Sequence, residues 1–294
     1  MKMDNYIKKI SNDFWDVLEN NKRKIRHLLG TDVIIDQMAM LTDIYMPAMI
    51  QHQKVFPQYK GINKGKTVVV IGTGPTFDYY MPIPDAVHIG INNAVFRKDI
   101  MFDYIFMADF DNGREFFEKV YADSQGSVRF FGIHYTRKGA LIPAYIREWE
   151  DVETFYIDDY NGDIYGNIYE KSRKFVYPLD LSISPIKAYG TVMYCAFQFA
   201  LWTHPDKIYI VGADCSGKVN AHASGLNYES VNYGNTNFDY NKFNYRRFIR
   251  PWRKLKDFAE NYYPDIEIIS LNPVGLKGIF KDKYTDKYRK CDKN

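Results

Sequence analysis

Apolar positions follow two different periods along this chain. Over residues 4–29, Ile7, Ile10, Phe14, Leu18, Ile25 and Leu28 recur close to helical spacing, and Gly30 ends the pattern. A second helix is predicted from Ile34 to Ile50, kinked or ended near Pro47. Together these residues suggest a helical N-terminal extension over 1–63. The stretch Phe56–Lys66 carries Pro, Gly and Lys without apolar periodicity and reads as a linker. From residue 64 the pattern changes to short apolar runs. Thr67–Ile71 is a β-branched run of the kind found in a buried parallel strand. Val87–Ile91, Tyr104–Ala108, Val128–Ile133, Thr154–Ile157, Lys207–Val211 and Glu267–Leu271 read as further strands. Helical stretches are predicted at Asn112–Tyr121, Ile142–Trp149, Thr191–Trp202 and Tyr245–Tyr262, with an irregular excursion over 158–186. Such alternation argues for an α/β, Rossmann-like fold, a mostly parallel sheet with helices on both faces. The expected catalytic domain spans 64–276.

Composition narrows the class. Length (294 residues), 46% hydrophobic and 26% charged residues are those of a globular chain with a substantial core. Aromatics reach 17%, a surplus that either lines a pocket for flat or sugar-like groups or reflects codon bias. Cys195, Cys215 and Cys291 have no metal-ligand spacing and suggest a reducing compartment. With no signal-peptide pattern and no apolar stretch of membrane-spanning length, a cytoplasmic location is expected. The net charge of +3 is concentrated at one end: residues 277–294 hold seven Lys or Arg and three Asp, an excess of +4 that leaves about −1 elsewhere. This basic tail reads as a solvated face or as a contact with anionic lipid at the inner membrane surface. No basic stripe with interleaved aromatics lies on the body of the chain, which argues against nucleic-acid binding.

Candidate chemistry clusters at predicted strand ends. After the first strand comes Gly72-Thr73-Gly74-Pro75-Thr76, where two glycines permit a tight turn and Pro75 suits the first position of a helix. Such a turn aims backbone N–H groups and a helix dipole at one point, where a phosphate would sit. The third glycine of the dinucleotide fingerprint is replaced by Phe77, which argues against a nicotinamide or flavin dehydrogenase. Asn92 and Asn93 could read a base or ribose, or simply form a turn. Asp109 and Asp111 could hold Mg²⁺ through nucleotide phosphates, and Asp111 could equally cap a helix. Gly190-Thr191 opens a second helix suited to an anion, with Lys187 as a nearby cation, or Thr191 is a plain cap. Gly212-Ala213-Asp214 ends a strand and leads to a polar loop presenting His222, which could move a proton or, when charged, stabilise a phosphate leaving group.

The ordered set Gly72–Thr76, Gly190–Leu201 and Gly212–Asp214 resembles two related groups. One is the bacterial CMP-sialic-acid-dependent sialyltransferases with a single Rossmann-like domain. The other is the family of motility accessory factors and pterin diphosphokinase-like proteins, to which Lys64-Gly65-Lys66 and His222-Ala223 are more similar. The resemblance covers residues 64 to about 275. It implies a cytidine-nucleotide pocket from Gly72, Thr73, Gly74, Asn92, Asp109, Gly190 and Thr191. It also implies a glycosyltransferase that moves an acidic sugar from a CMP-activated donor to a glycan, lipid-linked or protein acceptor. That reading requires no cofactor. Thr76 stands for the usual serine, Asp109 for an asparagine and Lys187 for an arginine, whose bidentate fork is lost. Aligned without gaps from Asp214, His222 falls at a tyrosine that assists the departing phosphate, and His222, Lys187 and Asp214 are the expected catalytic residues. The base histidine of the sialyltransferases has no counterpart near 240–250. The alternatives are an ATP-dependent pterin-type diphosphokinase using Mg²⁺, or a nucleotide-binding protein without catalysis.

Overall fold

Strand β1 (Thr67–Ile71) is apolar on both faces because layers cover both sides of it. Val68 and Val70 enter one core and Val69 and Ile71 the other, and all four are fully buried. The computed structural model describes residues 45–108, 113–136, 139–141, 146, 148–149, 151–158, 177–215, 223–224, 226 and 248–291. The other strands are β2 (Val87–Ile91), β3 (Tyr104–Met107), β4 (Val128–Thr136), β5 (Gly139–Leu141), β6 (Val152–Asp158), β7 (Ile186–Lys187), β8 (Lys207–Val211), β9 (Glu267–Leu271) and β10 (Lys281–Lys283). Nine of them form one parallel sheet in the order β10-β9-β8-β1-β2-β3-β4-β6-β7, while β5 pairs antiparallel with β4. The run β3-β2-β1-β8-β9-β10 is the doubly wound 3-2-1-4-5-6 order, so the fold is Rossmann-like, extended at one edge by β4, β6 and β7.

The helices are α1 (Met46–Val55), α2 (Gly113–Asp123), α3 (Met193–Trp202), α4 (Arg250–Tyr262) and α5 (Asp286–Cys291). All ten residues of α3 are buried, since its sequence MYCAFQFALW offers no polar stripe to water. Its one amide, Gln198, is satisfied: Nε2 donates to the Lys187 and Tyr194 carbonyls at 2.7 and 2.8 Å. Residues from α1, α3 and α4 share one core with Val68 and Val70, and Phe117 and Val120 of α2 join Val69 and Ile71 in the other.

The aromatic surplus is largely structural. Phe56, Tyr59, Tyr104, Phe106, Phe130 and Phe199 interlock in the first core, with Phe106 and Phe130 stacked at 4.6 Å and Tyr59 edge-on to Phe199 at 5.4 Å. Two boundaries therefore differ from expectation. Residues 56–66 are not a linker, because Phe56 is fully buried and Tyr59 nearly so. The Pro and Gly punctuation only shapes the turns between these anchors. Similarly, the described part of the expected 277–294 tail, residues 277–291, does not stand apart from the domain. Lys281–Lys283 adds to β9 as a parallel edge strand, and α5 folds back on the turn after β1, where Tyr79 and Tyr288 meet edge-on at 5.3 Å. Much of its charge is locally engaged: Lys281 pairs with Glu267, and Lys287 Nζ donates to the Asp78 carbonyl at 2.9 Å. Among the described residues no helix is long and apolar enough to cross a membrane. The helix predicted over 4–29 lies outside the described residues, as do most of the stretch at 142–149 and residues 245–247 of the last predicted helix.

Candidate functional site at the reversal of strand order

The chain winds outward from β1 to β7 and then returns to place β8 on the other side of β1. Beyond the C-terminal ends of β1 and β8 the connections depart in opposite directions, which opens the crevice where ligands bind in folds of this kind. Two glycine turns meet there. The Gly72 N–H donates to the Val211 carbonyl at 2.8 Å and the Gly74 N–H to the Gly212 carbonyl at 2.9 Å. A Cβ on either Gly72 or Gly74 would stand 2.6 Å from the Gly212 oxygen, and Gly212 itself sits at φ +63°. The glycines are thus required by backbone running against backbone.

Asp214 locks the arrangement. One of its oxygens accepts the Thr76 N–H at 2.9 Å, and the other accepts the Thr76 hydroxyl. Burial pushes its carboxyl above the ordinary range, the Thr76 hydrogen bonds oppose that shift, and the charge of Asp78 reinforces it. On the far side the Gly275 N–H donates to the Asp214 carbonyl at 2.7 Å, tying in the segment after β9. The helix α3 reaches the same place: Met193 Sδ lies 3.5 Å from where a Gly72 Cβ would stand. Tyr189 and Gly190 turn into this helix at φ +47° and +78°. The Thr191 hydroxyl accepts the Met193 N–H at 3.3 Å from just ahead of Val192, the N-cap of the helix.

A third segment closes over the β1 turn. The Ala223 N–H donates to the Thr73 carbonyl at 2.9 Å, and the Asp78 carboxylate accepts the Ser224 N–H and hydroxyl at 3.0 and 2.8 Å. The Asn93 amide donates to the Leu226 carbonyl at 2.5 Å.

These contacts change several expectations. The N–H groups of Gly72, Gly74, Thr76 and Phe77 are all engaged within the protein, and Pro75 has none. These four N–H groups are therefore not free donors for a phosphate, because the carbonyls of Val211, Gly212 and Gly74 and the Asp214 carboxylate already accept them. Only a five-residue 3-10 turn, Pro75–Tyr79, follows in place of a long helix. Asn92 sits in the left-handed region at φ +43°, and its side-chain oxygen accepts the Ala108 N–H at 3.3 Å. Both asparagines thus brace neighbouring segments. Asp214 engages Thr76 through both carboxylate oxygens and is buried, so it positions the turn.

Lys187 is already paired. It lies on β7, the edge strand of the sheet, with β1 five strands along the order. Its ammonium is paired with Asp158 at the end of β6, and these side chains are only 12% and 2% exposed. The Tyr45 hydroxyl donates to the same carboxylate at 3.2 Å. Lys187, expected as a cation near the Gly190-Thr191 helix start, is hence the partner of a buried acid. Sequence reasoning missed Asp158, Asp78, Ser224 and Gly275. Asp158 carries the one available signal, a carboxylate at the end of an apolar strand. His222, Asp109 and Asp111 lie outside the described residues, and among the described residues no group of three metal-ligating side chains gathers.

The fold and the crevice define an α/β protein of the Rossmann-like kind whose β1, β8 and α3 termini converge at the reversal of strand order. Comparison with models of protein families, with curated proteins and with solved structures finds no match.

Proposed function

We propose that the protein is a glycosyltransferase that binds a CMP-activated acidic sugar in the β1–β8 crevice and passes the sugar to a hydroxyl of a glycan, lipid-linked or protein acceptor. The observation that supports this reading most is the meeting of three segments far apart in sequence. Gly72–Thr76 stands against Gly212–Asp214 on one side and against Met193 at the start of α3 on another, at the strand-order reversal. Phosphate contacts would come from the dipole at the start of α3 and from side chains at the rim, since the N–H groups of Gly72, Gly74, Thr76 and Phe77 are already engaged. His222 is the proposed proton-transfer group. It directly precedes Ala223, whose N–H is anchored on Thr73 at the mouth of the crevice. Asp214 holds the turn in shape, and Lys187, paired with Asp158, is left out of the proposed phosphate contacts.

Thermal denaturation with CMP and with ATP plus Mg²⁺ tests the assignment. A ligand at a hundred times its Kd stabilises by about 2.7 kcal/mol, roughly 5 °C for a chain of this size. A shift with CMP in the absence of metal, together with slow hydrolysis of a CMP-sugar that is lost in His222→Ala, is the expected result. A shift with ATP and Mg²⁺ alone overturns the donor assignment. CMP binding with no turnover of any CMP-sugar overturns the transferase assignment and leaves a nucleotide-binding protein.

A further inference from the structure

A second cleft lies at the opposite end of the sheet from the crevice. Lys64 stands just ahead of β1, His204 ahead of β8 and Tyr263 ahead of β9, so all three sit where parallel strands begin. The hollow they share has a volume of about 430 Å³, within the range of small-molecule sites. Helix ends build it: α3 closes with Trp202 and α4 with Tyr262, and the turn over 60–64 packs across the first of them. The Gly61 N–H donates to the Trp202 carbonyl at 3.1 Å and the Asn63 N–H to the Thr203 carbonyl at 2.9 Å. Backbone groups thus satisfy the last carbonyls of α3, and the lysine heads are not needed to bond them.

The lining is basic and aromatic. Lys60 Nζ sits 4.6 Å above the Trp202 ring, which holds one ammonium at the wall. Lys64 is the second cation. Among the described residues neither lysine is within ion-pair distance of a carboxylate, and no carboxylate lines the cleft. The acids nearby are engaged elsewhere. Asp265 pairs with His204 Nε2 at 2.8 Å and feels Lys64 only at longer range. Asp206 accepts the Gly65 N–H at 2.9 Å, and Asp180 accepts the Ser182 N–H at 2.8 Å. Asn63, between Gly61 and Lys64 in the chain, is 2% exposed, and its side-chain nitrogen has no hydrogen-bond partner among the described residues. Leu179 and Tyr262, 53% and 56% exposed, add an apolar edge and a ring face to the same cleft. Charge of one sign in a concave, ring-lined wall acts through a lower effective dielectric than on an open surface, which favours a bound anion.

We infer that this cleft is a second ligand site, separate from the crevice, which takes a ring bearing an anionic group, phosphate or carboxylate. Lys60 and Lys64 hold the anion, and Tyr262 with Leu179 covers the ring.

A residue-resolved NMR titration of the full chain in phosphate-free buffer tests the inference, with phenyl phosphate, glucose 6-phosphate and inorganic phosphate as probes. At least one ring phosphate should shift the amides of 60–64, 202–204 and 262–263, with a Kd about tenfold below that of inorganic phosphate. The ring that binds more tightly, aryl or sugar, names the class. Lys60→Gln and Lys64→Gln should each weaken that probe about fivefold. Tyr262→Ala should bring its Kd to that of inorganic phosphate, while Lys54→Gln on α1 should change nothing. The three cleft side chains are exposed, so their variants keep the fold. Unshifted amides at these positions, equal Kd values for inorganic phosphate and both ring phosphates, or lysine variants that bind as wild type does each overturn the inference. Shifts at 72–76 and 212–215 report the crevice instead, so failure here and failure of the proposed function are read apart.

Discussion

His52 makes stability depend on pH in a way that one substitution can isolate. Its ring is buried between α1, β6 and the 181 segment. Nε2 accepts the Tyr156 N–H at 2.8 Å, so it must be unprotonated, and Nδ1–H therefore donates to the Leu181 carbonyl at 2.9 Å. Protonation would set an N–H against an N–H in a buried site, and burial lowers the pKa from 6.5 to about 4. A depressed folded-state value means that the unfolded chain takes up the proton first as pH falls. This stability is fully present above pH 6.5 and is lost between pH 6.5 and about 4, at about 1.4 kcal/mol per unit and about 3 kcal/mol in total. His52→Gln removes two hydrogen bonds and should cost roughly 2 kcal/mol at pH 7. The variant lacks the titration, however, so the two stability curves should converge and cross near pH 5, where the linkage loss reaches about 2 kcal/mol. Equilibrium urea unfolding at steps from pH 7.5 to 4 measures both curves, and every group common to the two proteins cancels in the difference. Curves that stay parallel over this range would refute the assigned tautomer and burial.

Three further outcomes follow from the crevice and the sheet edge. Asp214→Asn keeps an acceptor for the Thr76 N–H and should melt within about 1 kcal/mol of wild type, whereas Asp214→Ala orphans that N–H and should cost about 2–3 kcal/mol; equal losses would show that Thr76 does not depend on Asp214. Gly74→Ala puts a Cβ 2.6 Å from the Gly212 oxygen and 2.8 Å from Asp214 Cγ, so chemical unfolding should report a loss of about 1–3 kcal/mol. A neutral effect there would mean that the two turns are not in contact. Ending the chain after Phe280 removes β10 and α5 and bares the edge of β9, and it should lower the melting temperature and promote association in light scattering. An unchanged melt with no association would return the segment to the status of a tail.

The strands most legible in the sequence are those buried on both faces. Val87–Ile91, Lys207–Val211 and Glu267–Leu271 end where their apolar runs end, because a parallel strand between two layers has no polar side to interrupt it. Lys281-Asp282-Lys283 carries no such run. It is an edge strand, and charge at an edge resists further pairing while hiding the strand from a pattern search. Phe56 and Tyr59 were obscured by Pro57 and Gly61, which mark turns correctly but say nothing of what the intervening rings contact. At the crevice, the glycines of β1 and β8 were visible separately. Their reciprocal need, each leaving room for the other's carbonyl, depends on which strand lies beside β1, and no local window holds that information. Lys187 failed for the same reason: Asp158, 29 residues away in sequence, claims its charge.

The position of β8 beside β1 also sets a timetable for synthesis. β2 follows β1 within about 20 residues, but β8 emerges from the ribosome only about 140 residues after β1. At ~5–20 residues per second, the second edge of Val68–Ile71 has no native partner for roughly 7–28 s. The strand best shielded in the finished protein is thus the one that waits longest with an open side. Lys64 and Lys66, just ahead of that run, place positive charge beside this apolar stretch of the nascent chain during the interval.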